Sequence, residues 1–485
     1  MRRIFSNTFV ALVAGLCLRL FFVLKYPASS GDTILYDQMA TNWLKHHVYA
    51  MDVGGTITPV DLRMPGYPAF LAIVYALTGR TGEGARIWVM LAQIGVDLLG
   101  CLLIARLAEL LAATTQGVPA NKRVRSVALW LAVLCPFTAN YCAVELTEVF
   151  AGFWTALACC AVVVALRRIE KPDFLVRGSH MLLGRSAEYS ALVAGFIAGM
   201  GTLFRPETPL LLVAAVIVFG GLLFRMQSFK RWVTVSLAMG LGCLMMLSPW
   251  AMRNLITLGE VQFLAPKNSN LPGELVPYGF MAWEKTWLYR MKDCYLVSWK
   301  LNGESIDVEQ IPARAFDTPE EKQRVAAILE PYNNDLTLTA EEDAEFAKLA
   351  RERTARHPLR TYISLPAARA ATLWFTPRIE LIPVSGYVFP LRQMREEDPR
   401  DQEITIVFFA INLFYVGLGL WSGVRLWRWS STARPAVAFL ALFILMRTAF
   451  LTTLETPEPR YVLVCFPALI AMGAQVFAGR AEVQS

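Results

Sequence analysis

Charge is what this sequence has least of. Only 18% of its 485 residues are Asp, Glu, Lys or Arg, against 55% hydrophobic, whereas a soluble domain carries about 25% charge. The length alone would allow several soluble domains, but these charges are too few to coat them. Histidine is rarer still. His46, His47, His180 and His357 are the four, and none stands at zinc-ligand spacing; the adjacent His46 and His47 could contact a ligand. The nine cysteines form neither a metal pattern nor a disulfide framework. Six of them, Cys17, Cys101, Cys159, Cys160, Cys243 and Cys465, fall within apolar runs, where a thiol acts as a small hydrophobe. No GxxxxGK[ST] is present, nor a GxGxxG behind a strand, which removes the common nucleotide-binding loops. No half-to-half repeat of the transporter kind is visible. The net charge of +7 does not indicate nucleic acid, because the basic residues gather in short loops between apolar runs.

Those runs are what the sequence has in abundance. They are about 17–25 residues long, enough to cross a hydrocarbon core as helix, and in lipid the backbone must satisfy itself within the segment. About ten spans follow by length: Ile4–Leu24, Arg86–Leu111, the two arms of Val127–Leu166, Ala187–Leu203, Pro209–Phe224, Trp232–Trp250, Ile404–Gly423, Pro435–Leu454 and Val462–Phe477. The first follows Arg2 and Arg3 without a small-residue cleavage site and reads as an uncleaved anchor. Arg19, within it, reads as a snorkelling side chain or a partner for an anionic lipid head group. The loops holding Asn121–Arg125, Arg167–Arg185, Arg225–Arg231 and Arg425–Arg434 are basic and therefore cytoplasmic. The expectation is an all-α, polytopic helical bundle in the inner or plasma membrane.

Three parts can be delimited. Residues 1–253 form an N-terminal transmembrane module, including a first outer loop at 25–84. Thr33–His46 and Pro65–Leu77 in that loop read as juxtamembrane helices. Residues 254–403 form a small outer-face helical insertion, too charged to cross. Thr318-Pro-Glu-Glu321 and Thr339-Ala-Glu-Glu342 mark two helix starts there, and 359–375, interrupted by Arg360 and Arg369, reads as an amphipathic interfacial segment. Residues 404–485 carry the C-terminal transmembrane helices.

On this topology one face collects the acids Asp32, Asp37, Glu145, Glu148, Glu207 and Glu458 and the arginines Arg63, Arg205, Arg253 and Arg460. Charges at span ends are costly to keep dry. Any one of them serves most simply as an anchor or half of an ion pair. Together they suggest more: the arginine fork suits phosphate, and a carboxylate near a hydroxyl can act as its base. The pattern points to transfer from a lipid-linked phosphate to a hydroxyl or amine.

Six motifs occur in order: Gly31-Asp32 with Tyr36; Arg63-Met-Pro-Gly-Tyr-Pro68; Thr147-Glu148; Arg205-Pro-Glu207; Pro249-Trp-Ala-Met-Arg-Asn254; and Glu458-Pro-Arg-Tyr461. This order resembles the GT-C superfamily of polyprenyl-phosphate-sugar-dependent glycosyltransferases, in the branch of protein O-mannosyltransferases and the lipid A aminoarabinose transferase. The resemblance implies about 11–13 spans, which with the ten read by length gives an expectation of about 10–13, Asp32 as catalytic acid, and Arg63, Arg205, Arg253 and Arg460 as ligands of the donor phosphate. Tyr36, Asp37, Glu148, Glu207, Glu458 and Tyr461 would position substrate. It implies a polyprenyl-phosphate sugar as donor, a glycan, lipid or protein as acceptor, and inversion at the anomeric carbon. Some relatives place two adjacent acids in the first loop; here Thr33 follows Asp32, which leaves a divalent cation as a candidate cofactor without a defined ligand set. The competing reading is a lipid-linked glycan flippase without transfer.

Overall fold

The computed structural model describes residues 2–112, 118–170, 186–266, 268, 270–271, 274–384 and 398–477. Residues 171–185 of the expected basic loop lie outside them, as do 385–397 of the insertion. The chain divides into two compact units. One comprises Met1–Lys267, Pro377–Leu445 and Leu463–Ser485; the other comprises Asn268–Thr376 with Met446–Val462.

The first unit is a helical bundle. Counted over the whole described chain, seven helices are long and apolar enough to cross a membrane: Asn7–Lys25, Arg86–Ala112, Glu148–Glu170, Phe229–Leu258, Pro399–Trp429, Arg434–Leu451 and Pro459–Phe477. The protein is thus a polytopic helical membrane protein. The other three expected spans are less regular. Lys122–Val133 and Pro136–Ala143 meet at a 51° bend, where Pro136 cannot continue the preceding ladder. Ala187–Thr202 and Leu210–Arg225 have 16 residues each, about 24 Å of helix. The last span is not one smooth helix: 3₁₀ turns at Pro459–Cys465 and Ala474–Phe477 flank the α-helix Phe466–Gly473.

Arg19 neither snorkels nor reaches lipid. It is fully buried, its Nε donating to Asp97 Oδ2 at 2.6 Å and its Nη1 to the carbonyls of Gly15 and Val133 at 2.9 and 2.8 Å. A buried guanidinium is tolerable only when paired and hydrogen-bonded, and Asp97, inside the next span, supplies the counter-charge.

The first loop is folded. Ser30 and Thr33 cap one another to start the helix Gly31–His46. A β-hairpin that the sequence reading missed follows, β1 (Ala50–Val53) antiparallel to β2 (Thr56–Pro59), with Val53 opposite Thr56. Its two-residue turn is Gly54-Gly55, at φ 60° and 82°; a turn with positive φ at both positions selects glycine. The helix Gly66–Thr78 then leads to Arg86.

The second unit has its own core, in which Phe280, Trp283, Trp287, Tyr332 and Phe346 are buried. Both expected helix starts are present: Thr318 and Thr339 accept from the backbone N–H of Glu321 and Glu342 and open the helices Pro319–Asp335 and Ala340–Arg356. Arg353, fully buried, pairs with Glu321 and Asp317. Glu455-to-Tyr461 belongs to this unit; Lys285 Nζ reaches Glu455 at 3.0 Å.

Candidate functional site

Three motifs far apart in sequence are tied together in the first unit. Ala28 N–H donates to Ala143 O at 2.9 Å, and Thr33 Oγ1 to Glu145 O at 3.3 Å, which fixes the entrance of the first loop on the non-helical stretch between the 3₁₀ turn Asn140–Ala143 and Glu148. Gly66 N–H donates to Leu203 O at 2.7 Å. A Cβ at Gly66 would lie 2.6 Å from that oxygen and 2.8 Å from the Phe204 ring, so only glycine lets Arg63–Pro68 approach Arg205-Pro-Glu207 this closely. Aromatic rings fill the joint: Tyr36 meets Tyr67 at 5.0 Å, Phe70 meets Phe150 at 4.5 Å, and Phe150 stacks on Phe204 at 4.7 Å. Tyr67 is clamped by its hydroxyl on Gln93 Oε1 at 2.7 Å.

On this frame sit two ion-pair groups. Arg63 Nη2 donates to Asp32 Oδ1 at 2.7 Å, both side chains retaining about a fifth to a quarter of their exposure (21% and 24%). Arg205 pairs with Glu148 and lies 3.6 Å from Glu207 Oε1. Glu148 stands at the start of its helix, where the backbone dipole favours a carboxylate. Tyr36 is buried, and both ion pairs bear on its hydroxyl. Burial, then the Asp32 carboxylate, raise its hydroxyl to about 12, while Arg63 and Arg205 pull it down and Glu148 pushes it up again. Both ion pairs thus act on the same phenol.

Asp37 is directed elsewhere. It accepts from the Tyr75 hydroxyl at 2.7 Å; five residues from Asp32, it points about 140° away around the helix. Glu145, which the sequence reading placed on this face without a role, has its Oε2 3.8 Å from Arg86 Nε. Its buried carboxyl is raised to about 7, first by burial, against Arg86 and with Asp37 and Glu83 adding to the shift.

Arg253 is engaged with the first loop. It donates to Val60 O at 2.8 Å and Tyr49 O at 2.6 Å, and lies over the Tyr49 and Trp250 rings at 5.3 and 5.2 Å. Both branches of its fork thus hold the two ends of the β-hairpin. Glu458, Arg460 and Tyr461 lie in the second unit, where Arg460 Nε and the Tyr461 hydroxyl each donate to Glu458 at 2.6 Å. Among the described residues no group of three or more His, Cys, Asp or Glu side chains is placed to hold a metal ion.

Fold and site together define a polytopic helical membrane protein with a partly open cluster of carboxylates and arginines at its helix ends. The sequence matches no family model and no curated protein. Among solved structures it is similar to the oligosaccharyltransferase AglB from Archaeoglobus fulgidus in complex with an inhibitory peptide and a dolichol-phosphate, at 13% identity and a TM-score of 0.47, over 98% of this chain and 50% of that one. The apo form of the Archaeoglobus fulgidus oligosaccharyltransferase gives 14% identity and 0.49 over the same shares. ArnT from Cupriavidus metallidurans bound to undecaprenyl phosphate gives 12% and 0.42, over 96% of this chain and 77% of that one. The chain spans about half the length of the oligosaccharyltransferase.

Proposed function

We propose that this protein is an integral-membrane glycosyltransferase that moves a sugar from a polyprenyl-phosphate donor to an acceptor at the outer face, with inversion. The observation that carries the reading is the pairing of Asp32 with Arg63 and of Glu148 with Arg205, on segments held together by the Gly66–Leu203 and Thr33–Glu145 hydrogen bonds. A carboxylate able to take a proton stands beside a guanidinium able to take a phosphate, and both are partly exposed. The dolichol-phosphate and undecaprenyl phosphate named for two of the solved structures are lipid phosphates of the kind such a transfer would leave behind.

The resting pairs suggest an order of events. Arg63 holds Asp32 until a donor phosphate arrives. A phosphate offers the fork two oxygens, so Arg63 turns to it and Asp32 is released. Asp32 then accepts the proton of the acceptor hydroxyl or amine as the acceptor attacks the anomeric carbon. The bond from that carbon to the phosphate oxygen breaks on the opposite face, and the electron pair leaves with the polyprenyl phosphate. Arg63 and Arg205 stabilise the charge developing there, and Glu148 and Glu207 keep Arg205 aimed.

Mass spectrometry of lipid extracted from the purified protein tests the donor class. A polyprenyl phosphate, with or without sugar, is expected on wild type and Asp32→Asn and reduced on Arg205→Ala. Turnover of Asp32→Asn should fall roughly 10²–10⁴-fold, the usual worth of a general base, while Asp37→Asn stays near wild type. Bound polyprenyl phosphate with undiminished turnover in Asp32→Asn removes the assigned base; absence of any such lipid removes the donor class. Movement of the lipid-linked sugar across the bilayer without transfer would establish the flippase reading.

A further inference from the structure

We propose that the outward face of Leu359–Phe375 docks on the bilayer, lying in the boundary between head groups and acyl chains at the leaflet where the helix Arg434–Leu451 ends. The contacts that place the segment all lie in the second unit, which includes Met446–Leu451, the last turns of that helix. Arg434–Leu451 has 18 residues, about 27 Å of helix, which matches a hydrocarbon core of about 30 Å. Its last turn therefore marks the membrane boundary. Leu373 packs with Leu451 and Val462 there. Trp374 Nε1 donates to Thr448 Oγ1 at 3.1 Å, and Arg369 Nη1 to Thr452 O at 3.3 Å. The C-terminal end of the segment is thereby level with the end of a membrane-crossing helix.

The two arginines that interrupt the apolar pattern in sequence both face the protein. Arg360 forks onto Asp317 at 2.7 and 3.1 Å. Arg369 is 2% exposed and donates also to the carbonyls of Leu288 and Lys285. The other side carries no charge. Leu359, Tyr362 and Ile363 are 70%, 71% and 61% exposed, and Ala367, Ala371 and Phe375 continue the same stripe. These positions follow helical spacing for about 24 Å. A helix standing away from the membrane would need apolar residues only at the end beside Leu451. A stripe that is apolar along its whole length fits an axis lying in the membrane plane, its face sunk about 5–10 Å into the boundary region. Tyr362 and Trp374 are side chains suited to that level.

Spin-label depth measurement tests this without reference to glycosyl transfer, so its failure leaves the functional reading untouched. The background carries Cys17→Ser, since Cys17 is the exposed cysteine and the other eight are buried. A nitroxide is placed at Ile363→Cys, with a second at Tyr362→Cys and a water-facing control at Glu341→Cys, in vesicles of phosphatidylethanolamine and phosphatidylglycerol at low protein density. At 362 and 363 molecular oxygen should relax the label several-fold more than a neutral nickel chelate, with a depth of about 5–10 Å; at 341 the order should reverse. Nickel accessibility at 362 and 363 equal to that at 341 overturns the proposal. Shielding from both reagents would mean that protein covers the face, and a depth at the bilayer centre would mean that the segment crosses; either also overturns it.

Discussion

Asp97→Asn should destabilise the transmembrane unit more than any single change at the proposed site. The substitution keeps the volume of the side chain but leaves Arg19 charged, fully buried and held only by neutral groups: the carbonyls of Gly15 and Val133 and the Cys101 sulfur, at 2.9, 2.8 and 3.3 Å. At the 2.6 Å contact, the Coulomb attraction in a protein of effective dielectric about 20 is on the order of 6 kcal/mol. Desolvation of both ions offsets part of it, so breaking one half of such a pair costs about 3–5 kcal/mol. For a unit of this size that corresponds to a fall in midpoint of about 5 °C. The buried cysteines supply the assay, because a thiol-reactive dye reports unfolding as they are uncovered. Adding Arg19→Met to Asp97→Asn removes the stranded charge and should recover at least half of the loss, which a charge-independent packing defect would not allow. A midpoint for Asp97→Asn within about 1 °C of wild type, or a double variant no better than the single one, would refute the claim that charge pairing holds these two spans together.

Three further outcomes follow from particular contacts. Gly66→Ala puts a Cβ 2.6 Å from Leu203 O; it should cost about 1–3 kcal/mol and lower turnover by displacing Arg63 from Asp32, read as thermal midpoint and activity together. Arg253→Lys keeps the charge but cannot hold the Val60 and Tyr49 carbonyls with one fork; hydrogen exchange across Ala50–Pro59 should accelerate about tenfold. If donor affinity falls with exchange unchanged, Arg253 touches the donor directly. The Glu145 carboxyl, raised from 4.5 to about 7, favours the folded state in its protonated form. That contribution, up to about 3 kcal/mol, is fully present below about pH 4.5 and is lost as pH rises through about 7. Glu145→Gln should flatten stability between pH 5 and 8, and an unchanged slope would assign the titration elsewhere.

Much of this architecture is determined by the chain taken alone. Apolar runs of spanning length can only be helices in lipid, because the backbone has no other partner there; all ten expected positions carry helical structure, one of them broken at Pro136 and one threaded with 3₁₀ turns. Thr318 and Thr339 mark their helices because capping is local, decided within four residues. The hairpin at Gly54-Gly55 was equally legible from its turn, and was missed because four-residue strands carry little periodicity. So was the Arg19–Asp97 pair, as opposite charges in neighbouring spans. Only the tertiary structure decided what each charge meets. Arg63, Arg205 and Arg253 look alike in sequence, each an arginine within four residues of a proline outside the apolar runs. In the fold Arg63 holds Asp32, Arg205 lies between Glu148 and Glu207, and Arg253 braces two backbone carbonyls. Residue type sets which partners a guanidinium accepts, but the partner within 3 Å depends on packing between segments up to about 200 residues apart, which no local pattern encodes.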